Sequence, residues 1–132
     1  MEYLFDTHLL IWALEDSDKL PNSVREILLS QDATICYSTI STWEVAIKYG
    51  LNKFPISGTE FLHYCEQAGF RKLTLDDKHI IALETLQKKE NTPEHNDPFD
   101  RVLLAQAKGD GMIFVTHDKK FSYYNEQNVL VM

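Results

Sequence analysis

The chain is poor in the residues that would tie it to a disulfide scaffold, a zinc site or a membrane. Its 132 residues include two cysteines, Cys36 and Cys65. Two thiols without metal-motif spacing do not complete a structural zinc site. Each sits in an apolar stretch and reads as a small core residue in a reducing compartment. No apolar run approaches the roughly 20 residues of a membrane helix. The start, Glu2-Tyr3-Leu4-Phe5-Asp6, has none of the basic character of a secretory leader. A cytoplasmic protein without membrane contact is expected. Glycine is scarce, and no glycine-rich turn follows the first apolar segment, which argues against a dinucleotide-binding fingerprint. The five histidines show no HExxH-type spacing and are expected mostly at surfaces and edges. Basic residues are also in the minority: 13 Lys and Arg against 20 Asp and Glu give a net charge of −7. That balance opposes a phosphate backbone unless bound cations neutralise some of the acids.

What is present is an alternation of short β-rich segments and amphipathic stretches. Residues 2–5 read as a first strand. Residues 7–15 read as a helix with Asp6 as N-cap. Pro21 opens a second helix to about residue 30. Residues 33–37 are β-rich, and 41–49 return to helical spacing, closed by Gly50. A further helix at 59–68 stops at Gly69, and 70–75 form a candidate strand. Asp76-Asp77 caps a helix whose apolar residues are Ile80, Ile81, Leu83 and Leu86. Residues 88–96 are a polar loop long enough to be mobile. Asp97-Pro98 then supplies a cap and a first-turn proline to the clearest helix of the chain. Residues 112–116 and 128–131 are the last strands. No repeat or linker interrupts the pattern, so residues 1–132 read as one domain. Alternation of this kind implies βαβ units and a mostly parallel sheet.

In such a sheet, strand C-termini and helix N-termini share the edge where ligands bind. Four acids fall at those places. Asp6 and Asp118 end apolar strands; Glu44 and Asp100 are expected in first helical turns. Each has an ordinary explanation taken alone. Asp6 caps a helix, Ser41 and Glu44 form a capping box, Asp100 complements a helix dipole, and Asp118 is a turn residue. Jointly, four carboxylates on one edge repel each other and require raised pKa values or a cation. Carboxylate oxygens suit Mg²⁺ or Mn²⁺. Lys48, Lys53, Arg101, Lys119 and Lys120 are available to frame such a pocket and take phosphates. A phosphorylatable receiver domain shares the size and the sheet. It needs an acid pair after the first strand, where this chain has one acid.

The segment His95-Asn96-Asp97-Pro98-Phe99-Asp100-Arg101, with Ala105-Gln106-Ala107 after it, resembles the PIN-domain nucleases, in particular the VapC-type toxins of toxin–antitoxin pairs. Leu4-Phe5-Asp6-Thr7-His8, residues 41–48 and Phe114-Val115-Thr116-His117-Asp118 extend the resemblance along the chain. It implies a three-layer α/β/α fold around a mostly parallel sheet of four to five strands. It also implies metal-dependent cleavage of RNA with Mg²⁺ or Mn²⁺. The family's metal-binding and catalytic acids carry over to Asp6, Glu44, Asp100 and Asp118. Asp97 matches the accessory acid, Thr116 the threonine before the last acid, and Arg101 or Lys48 is placed to steady the scissile phosphate. A cognate antitoxin and a second copy of the chain are the protein partners implied. The alternative reading keeps the fold and drops the chemistry, leaving a PIN-like scaffold that binds RNA or protein.

Overall fold

Five short strands, all parallel, form the middle layer in the order β3-β2-β1-β4-β5. They are β1 (Glu2–Phe5), β2 (Thr34–Ser38), β3 (Arg71–Leu73), β4 (Ile113–Thr116) and β5 (Val129–Val131) in a computed structural model that describes residues 1–132. Six helices connect them: α1 (Thr7–Leu14), α2 (Asn22–Leu29), α3 (Thr39–Gly50), α4 (Gly58–Gln67), α5 (Asp77–Ala82) and α6 (Pro98–Asp110). Period-two alternation sends neighbouring strand residues to opposite faces. Phe5, Ile35, Tyr37 and Val115 face one core with Leu9, Leu10, Val24, Phe61 and Cys65 from α1, α2 and α4. Leu4, Cys36 and Phe114 face the other, against Leu103, Leu104 and Ala107 of α6. The result is the three-layer α/β/α arrangement expected from the sequence.

Strand order carries the feature that positions the site. From β1 the chain adds β2 and then β3 on one side, and then returns to add β4 and β5 on the other. Leu4 pairs with both Cys36 and Phe114, so β1 is central and the reversal lies between β1 and β4. The C-terminal edge at such a reversal opens into a crevice, because the flanking connections leave in opposite directions.

Two local expectations are corrected. The third helix begins at Thr39, not Ser41: Ser38 is the cap, its Oγ accepting from the Ile40 N–H at 3.0 Å and donating to Gln106 Oε1. Glu44 therefore lies in the second turn and forms no capping box with Ser41. The fifth helix ends at Ala82 and tightens into a 3₁₀ turn over Leu83–Thr85. Its Ile80 and Ile81 are 45% and 58% exposed, and the residue it buries is His79. His79 is held from both sides, Nδ1 accepting from the Asp76 N–H at 2.9 Å and Nε2 meeting Asp110 Oδ1 at 3.0 Å. The polar loop before α6 starts with an antiparallel bridge between Lys88 and Tyr124.

Candidate active site

The acids at the ends of β1 and β4 are linked through one hydroxyl, that of Thr116. Asp6 directly follows β1 and still donates its N–H to the Val115 carbonyl at 2.9 Å, as a strand residue does. Its side chain has turned to cap α1, Oδ1 accepting from the Thr7 N–H at 2.7 Å. Oδ2 accepts from the Thr116 hydroxyl at 2.7 Å. The same oxygen of Thr116 accepts from the Asp118 N–H at 3.0 Å. The Asp118 carboxylate caps the next turn, accepting from the Lys120 N–H at 2.9 Å.

Helices bring the remaining acids. Glu44 projects from α3 and is 3% exposed. Its Oε2 pairs with Lys48 Nζ at 2.6 Å, one helical turn away. Its Oε1 is buried with no hydrogen-bond partner. Asp97 caps α6, accepting from the Asp100 N–H at 3.1 Å, and Pro98 fills the first position, where no N–H is needed. Asp100 thus sits in the first turn of α6, as the sequence predicts. Its Oδ2 lies 2.9 Å from His95 Nε2. His95 is buried, wedged edge-on against Phe121 and Tyr124, and its Nδ1 has no partner. Burial holds its pKa below the ordinary imidazole value.

Asp6, Glu44, Asp97, Asp100 and Asp118 line one cleft of about 310 Å³, together with Lys48 and Lys120. Burial pushes Asp6 up to about 7; the Thr116 hydrogen bond opposes this and the charge of Asp100 adds to it. Burial likewise pushes Asp100 up to about 7, reinforced by Asp97, Glu44 and Asp118 and opposed by Lys48. Near neutral pH these carboxyls are therefore poised between keeping a proton and giving it up to a cation. The donor set is hard oxygen, which fits Mg²⁺ or Mn²⁺, and the orphaned Glu44 Oε1 is an unused ligand atom inside it. As the side chains stand, no three acidic, histidine or cysteine groups converge closely enough to cage an ion. Lys48, His95 and Thr116 each hold one carboxylate on its own partner.

Not every expected residue lies on the cleft. Thr116 is fully buried beneath it, tying Asp6 to Asp118. Arg101 does not line the cleft, and its charge favours the ionisation of Tyr124. Lys53 and Lys119 are absent from the lining. Three aromatic side chains that sequence reasoning passed over are present: His8, Trp12 and His117. A signal existed, since His8 and Trp12 stand one helical turn apart just after Asp6, and His117 adjoins Asp118.

Residues 3–127 match the PIN domain family. The chain belongs to the PIN domain family. Solved structures place this PIN domain beside toxin–antitoxin assemblies in fold. A DNA-bound VapBC from Salmonella typhimurium is 20% identical, with a TM-score of 0.67 over 99% of this chain and 98% of that one. VapBC2 from Rickettsia felis, bound to a DNA fragment from its promoter, is 17% identical, with a TM-score of 0.67 over 100% and 98%. A toxin–antitoxin complex from Klebsiella pneumoniae is 16% identical, with a TM-score of 0.61 over 98% and 96%. No curated protein matches in sequence.

Proposed function

We propose that this PIN domain is a VapC-type toxin, an endoribonuclease that hydrolyses RNA phosphodiester bonds with Mg²⁺ or Mn²⁺. The observation that carries the reading is the meeting of Asp6, Glu44, Asp100 and Asp118, from four separate segments, in one cleft at the sheet's reversal point. Residues 1–132 act in it as one unit.

Asp6 and Asp100 are the proposed ligands of the ion, with Glu44 and Asp118 completing the site. When bound, the ion supplies positive charge toward the phosphate and acidifies water for in-line attack. The chain's own groups do the rest. Thr116 fixes the rotamer of Asp6 and so the direction of its carboxylate. Asp97 holds the first turn of α6 and keeps Asp100 in place. Lys48 and Lys120, the two cations on the cleft, take the non-bridging phosphate charge. Arg101 is not among the residues lining the cleft, so the role shared with it in the sequence reading is assigned to Lys48. Products with a 5′-phosphate and a 3′-hydroxyl follow from attack by water.

A cognate antitoxin and a second copy of the chain are the proposed partners. Trp43, Ile47 and Leu51 leave an exposed apolar stripe along α3 that gives such a chain something to cover. No helix is long and apolar enough to cross a membrane. Two buried free thiols fit a reducing cytoplasm.

Cleavage of total cellular RNA with Mg²⁺ or Mn²⁺, beside EDTA and Asp100→Asn controls, tests the reading. Discrete fragments with 5′-phosphates, lost in both controls, are expected. RNA that is bound yet stays intact with wild type and variant alike would favour the scaffold.

A further inference from the structure

The acidic cleft has one hydrophobic lining residue, Trp12, and it is half-buried. The indole stands between two imidazoles. The His8 ring lies 6.3 Å away at 62° and the His117 ring 5.6 Å away at 65°. Both rings are steeply inclined to it, so neither is stacked parallel upon it. Each imidazole is itself braced. His8 leans edge-on against Phe54 at 5.5 Å. His117 uses Nδ1 to bond the Met132 backbone oxygen beside β5. A carbonyl oxygen only accepts, so Nδ1 carries the proton and the ring orientation is set. The three rings share the cleft with the carboxylates, and the cations Lys48 and Lys120 line it too.

Trp12 packs with its inner part against the core, which leaves the part that faces the cleft to be explained. A net charge of −7 gives the molecule little general attraction for a polyanion. An aromatic face offers an attraction that does not depend on charge, and every nucleobase has a face to offer in return. In a duplex the bases pair by their edges and cover their faces by stacking on neighbouring pairs, so only an unpaired residue offers a free face to such a site. We infer that Trp12, held by His8 and His117, is a stacking shelf for one unpaired base of the substrate. The inference rests on the nuclease reading for its substrate and on the ring cluster for its site. Trp12 is a binding residue: it holds the base equally in the ground and transition states and touches no reacting atom.

The test uses fluorescence and kinetics together. The chain has two tryptophans, so Trp43→Phe leaves Trp12 as the only indole. In that background, with Asp100→Asn added, short oligoadenylate in Mg²⁺ is expected to quench the emission, and the same strand annealed to oligouridylate is not. In the active chain, Trp12→Ala is expected to raise KM for single-stranded RNA about tenfold. The same variant leaves kcat within about twofold, and Trp12→Phe restores most of the loss. Absence of quenching by the single strand, equal quenching by the duplex, or a wild-type KM in Trp12→Ala overturns the shelf. Quenching is read without turnover. A wild-type chain that cuts no RNA therefore counts against the nuclease reading, and the shelf is judged separately.

Discussion

At the scale of single residues, Thr116 does more than its size suggests. One hydroxyl donates to Asp6 and accepts from the Asp118 N–H, so two strand ends and two acids depend on it. Thr116→Val keeps the shape and removes both bonds. The expected loss is about 1–3 kcal/mol, because a buried N–H and a buried carboxylate oxygen lose their partner. Urea unfolding measures it as a lower midpoint at unchanged slope, and Thr116→Ser is expected to recover most of the difference. The two thiols offer an independent check on the core. Burial pushes Cys36 up to about 11 and Cys65 to about 12. Both are expected to ignore thiol reagents at pH 8 in the native chain and to react at once in denaturant; fast native labelling would contradict their placement. The acids were legible in the sequence because each sits beside a strand end or near a helix start. The burial of His79 and His95 was not, since hydrophobic periodicity treats histidine as polar. Their burial depends on partners far along the chain or on aromatic neighbours, Asp110 for His79 and Phe121 and Tyr124 for His95.

At the scale of elements, α6 shows how capping and site geometry are the same thing. Asp97 stabilises the helix start and also contributes charge that raises the pKa of Asp100. Two substitutions separate these roles. Asp97→Asn keeps an equally good cap, so stability is expected to hold while the Asp100 pKa falls. Asp97→Ala loses the cap, at a cost of about 0.5–2 kcal/mol. Carboxyl titration by NMR and thermal unfolding of both variants check the pair; equal stability loss in the two would refute the division. This helix was readable because its signals are local: cap, proline and left-handed Gly111 at the end. The start of α3 was misread because Ser41 and Glu44 mimic a capping box. The true cap, Ser38, is settled by Gln106, a residue of another helix. Likewise α5 was given an apolar face at Ile80 and Ile81. The helix packs instead through His79, beside Gly109, where an added Cβ would lie 3.4 Å from the imidazole ring.

At the scale of the whole molecule, the parallel sheet was legible from alternation, but its strand order was not, because nothing local tells β4 to return beside β1. That return places Asp6 and Asp118 together, and it carries an energetic consequence. Asp6 and Asp100 have folded-state pKa values of about 7 against an ordinary 3.8. Between those values the folded chain binds more protons than the unfolded one, so stability falls as pH rises from about 4 to 7. Asp100→Asn removes one such group. Its metal-free melting temperature is expected to gain on wild type across that range, and a gap that stays constant with pH would contradict the pKa assignment. The claim that the four carboxylates form one cation site is tested most directly by calorimetric titration of Mn²⁺ at neutral pH. Wild type would be compared with Asp6→Asn, Glu44→Gln, Asp100→Asn and Asp118→Asn. Saturable binding by wild type is expected, weakened more than about tenfold in Asp6→Asn and Asp100→Asn and by a smaller factor in the other two. The same affinity in all five chains, or no binding by folded wild type, would mean that these acids do not hold a metal.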